Sequence, residues 1–224
     1  MLDEHAGNAH SQRLLPMAAE LLAAAAIGFR DVDLVAFDAG PGGFTGLRIG
    51  CGLAQGIALG AGCPVVPVGS LAALAWPHAG RPVFAAIDAR MGQCYHAGMS
   101  AHPTSIAADA WEAQASAPGL ADPEAVASCL GRFAAAVPTG ASWVAVGDAF
   151  LRYPALAAQA RAAGALVVAD AHPRADALVA LAALAGAQGR VLVADEAAPR
   201  YVRDKVALDV DEQAASRLAA APAR

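Results

Sequence analysis

Two kinds of chemistry are suggested by the residue types of this chain: anion binding at a glycine-rich turn, and acid–base or ligand chemistry at a few carboxylates and histidines. The turn is Gly40-Pro41-Gly42-Gly43-Phe44-Thr45-Gly46-Leu47-Arg48. Glycines ahead of a helix leave backbone N–H groups free, and with the helix dipole those groups attract anions. The specific fingerprints are not met. A P-loop requires Gly-Lys-Ser/Thr where this chain has Gly46-Leu47-Arg48, and a dinucleotide pattern begun at Gly40 and Gly42 puts its third glycine on Thr45. The favoured reading is a structural turn leading into close helix packing, with nucleotide binding as the alternative.

The histidines His5, His10, His78, His96, His102 and His172 are scattered. None forms a His-x-x-x-His or His-Glu-x-x-His face, so no metal is assigned. No Gly-x-Ser-x-Gly elbow marks a serine nucleophile, and Ser70 after Gly69 reads as a helix N-cap. No catalytic residue emerges. Asp88, Arg90 and Asp148 fall at strand ends, where α/β sites gather. Asp148, in Gly147-Asp148, is a candidate nucleotide-contacting residue, set against plain turn chemistry and a surface ion pair.

The elements that position these residues follow from periodicity. Residues 32–37 are apolar with two β-branched side chains, a buried strand. A helix runs from Thr45, near its N-cap, to about residue 61. Gly46 and Gly50 recur in it at four-residue spacing, continued by Ala54 and Ala58, and Gly52, Gly56 and Gly60 make a second row. Each interior glycine costs roughly 1 kcal/mol against alanine, so the rows predict close packing against other helices, in this chain or a partner's. Arg48 sits at the rim of that surface, as a partner contact or a solvated charge. Ahead of it, Leu14, Leu15, Ala18, Leu21, Leu22 and Ala25 predict a helix over 11–27, with Pro16 near the first turn and Gly28 as the stop. Beyond it come a strand near 64–68, a helix at 70–76, and a strand at 81–88. Arg90-Met91-Gly92 makes a turn into an antiparallel return at 93–99. Asp122-Pro123 has the form of an N-cap with proline at the first helical position, and strand, helix, strand, helix follow to residue 187. This is an α/β pattern, parsed as residues 1–76, residues 77–204 and a tail at 205–224.

The composition narrows the function. Hydrophobic residues make up 57% of the 224, yet no run of eighteen apolar residues is free of charge or helix breakers, so no membrane span is expected. Met1-Leu2-Asp3-Glu4-His5 lacks a signal-peptide pattern. Cys51, Cys63, Cys94 and Cys129 include no Cys-x-x-Cys pair and suit reduced thiols in a cytoplasmic protein. A net charge of −5 argues against gripping nucleic acid unaided.

The stretch from Gly40 to Gly62, with 64–75 after it, resembles the bacterial TsaB (YeaZ) family, departing from its motif at Gly43. His10-Ser11-Gln12-Arg13-Leu14-Leu15-Pro16-Met17, Asp88-Ala89-Arg90-Met91-Gly92-Gln93-Cys94-Tyr95 and Pro199-Arg200-Tyr201-Val202-Arg203-Asp204 are similar to further family segments. The resemblance implies an actin-like ATPase (ribonuclease H-like) fold of two subdomains. It also implies that the first lacks its opening strands, through a shortened start or a rearranged sheet, with shortening favoured. It implies a non-catalytic dimerisation subunit of the complex that adds threonylcarbamoyl to adenosine next to the tRNA anticodon. The partners implied are a TsaD-type catalytic subunit, carrying ATP and metal, and an ATPase subunit, with a homodimer through the same face as an alternative and tRNA held only through the complex. Residues that fit the interface are Leu14, Leu15, Met17 and Leu22 on the first helix and Leu47, Arg48, Leu53 and Ile57 on the second. Gly40, Pro41, Gly42, Phe44, Thr45 and Gly46 form the motif turn. The competing reading is a stand-alone nucleotide-binding hydrolase or glycoprotease-like peptidase.

Overall fold

The computed structural model describes residues 1–4, 10–99 and 117–203; the predicted tail, His5 and His102 lie outside them. A first helix, α1 (His10–Ala24), precedes strand β1 (Val35–Gly40), helix α2 (Phe44–Ala61), strand β2 (Val65–Gly69) and helix α3 (Ser70–Ala75). The hairpin β3 (Val83–Asp88) and β4 (Cys94–Met99) follows, then β5 (Gly119–Ala121) and α4 (Pro123–Ala136). Strand β6 (Trp143–Val146), the short α5 (Ala149–Arg152), α6 (Pro154–Ala162), β7 (Ala165–Val168) and α7 (Ala175–Ala187) complete the order.

The strands form a parallel pair, β1-β2, and a five-stranded sheet in the order β5-β4-β3-β6-β7. In the larger sheet β3 runs antiparallel to β4, with Ala85 opposite Ala97, and parallel to β6, with Phe84 opposite Ala145. Successive side chains of a strand point to opposite faces, and both faces here are covered. Val83 and Ala85, with Val144 and Val146, join a cluster with α3, α7 and Val66 and Val68 of β2. Phe84, Ala86, Trp143 and Ala145 pack on the other side with Val126, Leu130, Phe150 and Leu156. Phe37, Ala39 and Val65 meet Cys51, Ala54 and Ala58 of α2 in a third cluster. Helices and sheets therefore alternate, with α3 and α7 between the two sheets. Residues beyond 77 build part of the first unit: α7 packs on β1 and β2, and Leu192 bridges to Val65.

Several local expectations are corrected. The N-cap of α2 is Gly43, with Thr45 exposed in the first turn and Gly62 closing the helix in the left-handed conformation at φ 72°. Gly69, not Ser70, caps α3, and Ser70 is buried. Helix α1 continues through Pro16 and ends before Gly28. Asp122 does cap α4, its side chain accepting from the Ala125 N–H at 2.8 Å.

Candidate functional site

Three segments far apart in sequence meet at one cleft of about 270 Å³: the motif turn after β1, the β3–β4 turn, and residues 200–203. Its walls include Gly42, Phe44, Arg90, Met91, Tyr201 and Arg203. Gly40 permits this convergence. Its φ is +99°, and a Cβ there would lie 2.9 Å from Leu47 Cδ1 and 3.0 Å from the Arg200 carbonyl oxygen, so no side chain fits. The Arg200 N–H donates to the Ala39 carbonyl at 2.7 Å. Beside it the Phe44 and Tyr201 rings lie 5.3 Å apart, the Arg48 guanidinium sits 3.8 Å over Phe44, and Arg48 Nε donates to the Tyr201 hydroxyl at 3.0 Å. Arg48 is thus engaged by its own chain at the end of α2.

The β3–β4 turn carries two consecutive left-handed non-glycine residues, Arg90 at φ 61° and Met91 at φ 54°. Asp88 Oδ1 accepts from the Arg90 N–H and from the Tyr153 hydroxyl, each at 3.1 Å, and Oδ2 lies 3.5 Å from Arg90 Nη1. Desolvation, and then the hydrogen bond to the Asp88 carboxylate, raise the Tyr153 phenol above its ordinary pKa. Asp148, the candidate nucleotide contact, uses Oδ1 to accept from the Asp88 N–H at 2.8 Å. The structure therefore places it as a tie between the ends of β3 and β6. Arg203 Nη2 donates to Gln93 Oε1 at 2.8 Å, fastening the C-terminal segment to the hairpin. The Arg90 side chain is 86% exposed at the cleft mouth. Among the described residues, three arginines and no carboxylate line the cleft, in a chain of net charge −5.

Sequence reasoning missed one pair behind the motif turn, the buried Ser70 and the half-buried Asp38. Ser70 Oγ donates to Asp38 Oδ1, which also accepts from the Gly40 N–H at 2.9 Å. Burial pushes the Asp38 carboxyl above its ordinary pKa, against these two hydrogen bonds. The available signal was a carboxylate next to Ala39-Gly40 at the end of an apolar strand. Among the described residues no group of three or more His, Cys, Asp or Glu is arranged to hold a metal ion, and no described helix is long and apolar enough to cross a membrane.

The predicted interface residues divide. Leu14, Met17 and Leu22 of α1 and Leu53 and Ile57 of α2 are half-buried, Leu15 is 48% exposed, and all six lie outside the three core clusters. Leu47 is the correction: it turns inward and is buried against the motif turn, where it lies nearest to Gly40 and Gly42. The glycines at 46, 50, 52, 56 and 60 have nothing within 4 Å of where a Cβ would stand, among the described residues.

This layered architecture is that of the actin-like, glycoprotease-type superfamily. The family model described as TsaD, tRNA N6-adenosine threonylcarbamoyltransferase, matches residues 2–209. The chain is 34% identical over 205 residues to the tRNA threonylcarbamoyladenosine biosynthesis protein TsaB of Escherichia coli K12, covering 88% of this chain and 82% of that one. The TsaB of Haemophilus influenzae is 47% identical over 98 residues, 42% of each chain. YeaZ from Pseudomonas aeruginosa superimposes with a TM-score of 0.66 at 32% identity, over 86% of this chain and 84% of that one. The chain belongs to the TsaB (YeaZ) family.

Proposed function

We propose that this chain is a non-catalytic docking subunit in the cytoplasmic biosynthesis of threonylcarbamoyladenosine in tRNA, and that α1 and the outer face of α2 bind a TsaD-type catalytic subunit. The observation that carries the reading is the open space around the α2 glycines. Five interior glycines at roughly 1 kcal/mol each are a large cost for a domain of ordinary stability, and no described residue of the chain uses the room they leave. A second helix backbone, approaching closely, would use it. Leu15, Leu53 and Ile57 supply apolar contact beside those rows. In this reading the partner holds ATP, metal and tRNA, and an ATPase subunit acts in the same pathway. A second copy of this chain is the competing occupant of the face. The stand-alone hydrolase or peptidase is not favoured, because Asp148 is committed to the Asp88 backbone.

Co-purification of the full chain with a TsaD-type subunit and the pathway ATPase, followed by a threonylcarbamoyl transfer assay on tRNA, tests the reading. Leu53→Asp puts an unpaired charge into the proposed dry interface and is expected to weaken docking roughly 30-fold or more. Unchanged affinity would refute the surface.

A further inference from the structure

Docking on the outer face of α2 leaves the cleft at the motif turn without a use, since Leu15, Leu53 and Ile57 all lie outside its lining. What lines it is cationic: Arg90 from the β3–β4 turn, and Arg200 and Arg203 from the returning segment. Among the described residues, neither Arg200 nor Arg203 has an ion-pair partner, and Arg90 has only Asp88, at 3.5 Å. Arg203 is half-buried, and its Nη2 and Nη1 meet neutral groups, Gln93 Oε1 at 2.8 Å and Met91 Sδ at 3.5 Å. Withdrawing a charge from water without a counter-ion is costly, and gathering like charges around one cavity adds to the cost. The segment is nonetheless pinned on both sides, by the Arg200 N–H to the Ala39 carbonyl and by Arg203 to Gln93. The cationic wall is therefore built before any ligand arrives, and an anion in the cavity would offset its cost.

We propose that this cleft binds a phosphate group. A phosphate monoester brings a charge of about −1.5 to −2 and three acceptor oxygens, enough to engage more than one guanidinium, whereas a carboxylate brings one charge and two oxygens. The planar fork of arginine matches phosphate oxygens in pairs. Gly43 and Phe44, at the positive end of the α2 dipole, line the same cavity, but that end is worth only about half a charge against a full charge on each guanidinium. At about 270 Å³ the cavity is smaller than the roughly 300–1,000 Å³ of pockets that enclose a whole small-molecule ligand. It takes the phosphate end alone, either a free diphosphate or the terminal phosphates of a nucleotide whose base stays outside.

The test titrates the full chain with pyrophosphate at low, fixed ionic strength, read by calorimetry and by the arginine Nε–H signals in NMR. Inorganic phosphate, ADP and acetate at matched ionic strength are the other arms. The expected result is saturable pyrophosphate binding that shifts the Arg90, Arg200 and Arg203 signals, with acetate weaker by about tenfold or more. Arg200→Gln and Arg90→Gln alter exposed side chains, and each is expected to weaken pyrophosphate about tenfold, the factor of a charge-assisted hydrogen bond. Arg161→Gln makes the same charge change at an exposed residue outside the cleft and should bind as wild type. ADP binding with the same arginine dependence supports the site and assigns it to a nucleotide's phosphates; pyrophosphate binding without ADP supports it for the free anion. Absence of saturable binding, equal losses in all three variants, or acetate binding as tightly as pyrophosphate would overturn the proposal and leave the docking reading standing.

Discussion

Arg48→Ala separates a latch within the chain from a direct partner contact. The guanidinium stacks 3.8 Å over Phe44 and donates from Nε to the Tyr201 hydroxyl at 3.0 Å. An exposed cation–π contact contributes about 0.5–1 kcal/mol and a hydrogen bond of this kind about 1 kcal/mol. The Phe44 stack lies within α2; the contacts that reach across are the Tyr201 hydrogen bond and the guanidinium 5.8 Å from the Tyr201 ring, and together they hold residues 200–203 against the N-terminal end of α2 by about 1.5–2 kcal/mol. The Arg200 N–H, bonded to the Ala39 carbonyl at 2.7 Å, is the reporter, because local opening exposes it without global unfolding. Every 1.4 kcal/mol is a factor of ten, so the exchange rate of that amide should rise about 10- to 30-fold in the variant. Arg48→Lys should recover little of the loss, since an ammonium neither stacks as a plane nor reproduces Nε. Amide exchange at Arg200 equal to wild type would refute the latch. If docking still weakened in that case, Arg48 would be a direct contact instead.

Two further outcomes follow from the geometry. Burial lifts the Asp38 pKa above its ordinary value of 3.8, so between the unfolded and folded values the folded chain keeps a proton that the unfolded chain releases, and stability falls as pH rises through that window. Asp38→Asn retains an acceptor for Ser70 and Gly40 without the charge; melting from about pH 3 to about pH 8 should show the variant gaining on wild type as pH rises, and the reverse trend refutes the assignment. Gly56→Ala meets open space on a helical backbone, so the isolated chain should be stabilised by about 1 kcal/mol in chemical denaturation while docking weakens; a destabilised isolated chain would mean that the glycine serves its own fold.

Much of the fold was legible because its elements carry their own signals. Asp122-Pro123 starts α4 by capping chemistry, and β3 and β6 show as short apolar runs between turns. What escaped depends on partners distant in sequence. The three-residue β5 has no period to read, and the tie of Tyr153 to Asp88 spans 65 positions. The misplacement of Leu47 is instructive. Leu47, Cys51, Ala54 and Ala58 form the buried face of α2 at helical spacing. Leu53, six residues past Leu47, stands about 120° away around the axis at 3.6 residues per turn, so with Leu47 buried Leu53 falls on a different side of the helix. The period was present in the sequence, but alanine and cysteine gave the inner face too little apolar contrast against the leucines outside.

The two classes of glycine around the motif also answer to different constraints. Gly40 is required by this chain's own closure, because Leu47 and the Arg200 carbonyl occupy the space a side chain would need. The α2 glycines are not; their neighbourhood is empty among the described residues. Small residues therefore line both sides of one helix. Inside, Cys51, Ala54 and Ala58 let α2 lie close on β1 and β2, with Ala197 accepting from Gln55 at 3.0 Å to tie the returning segment to the helix. Outside, the glycine rows leave a smooth face. The helix is about 27 Å long at 18 residues, and its N-terminal end carries Phe44 and Arg48, which contact Tyr201 beside the cleft. A helix docked along the outer face would therefore bear on the element that frames the cleft, which makes α2 the physical link between docking and the three-motif site.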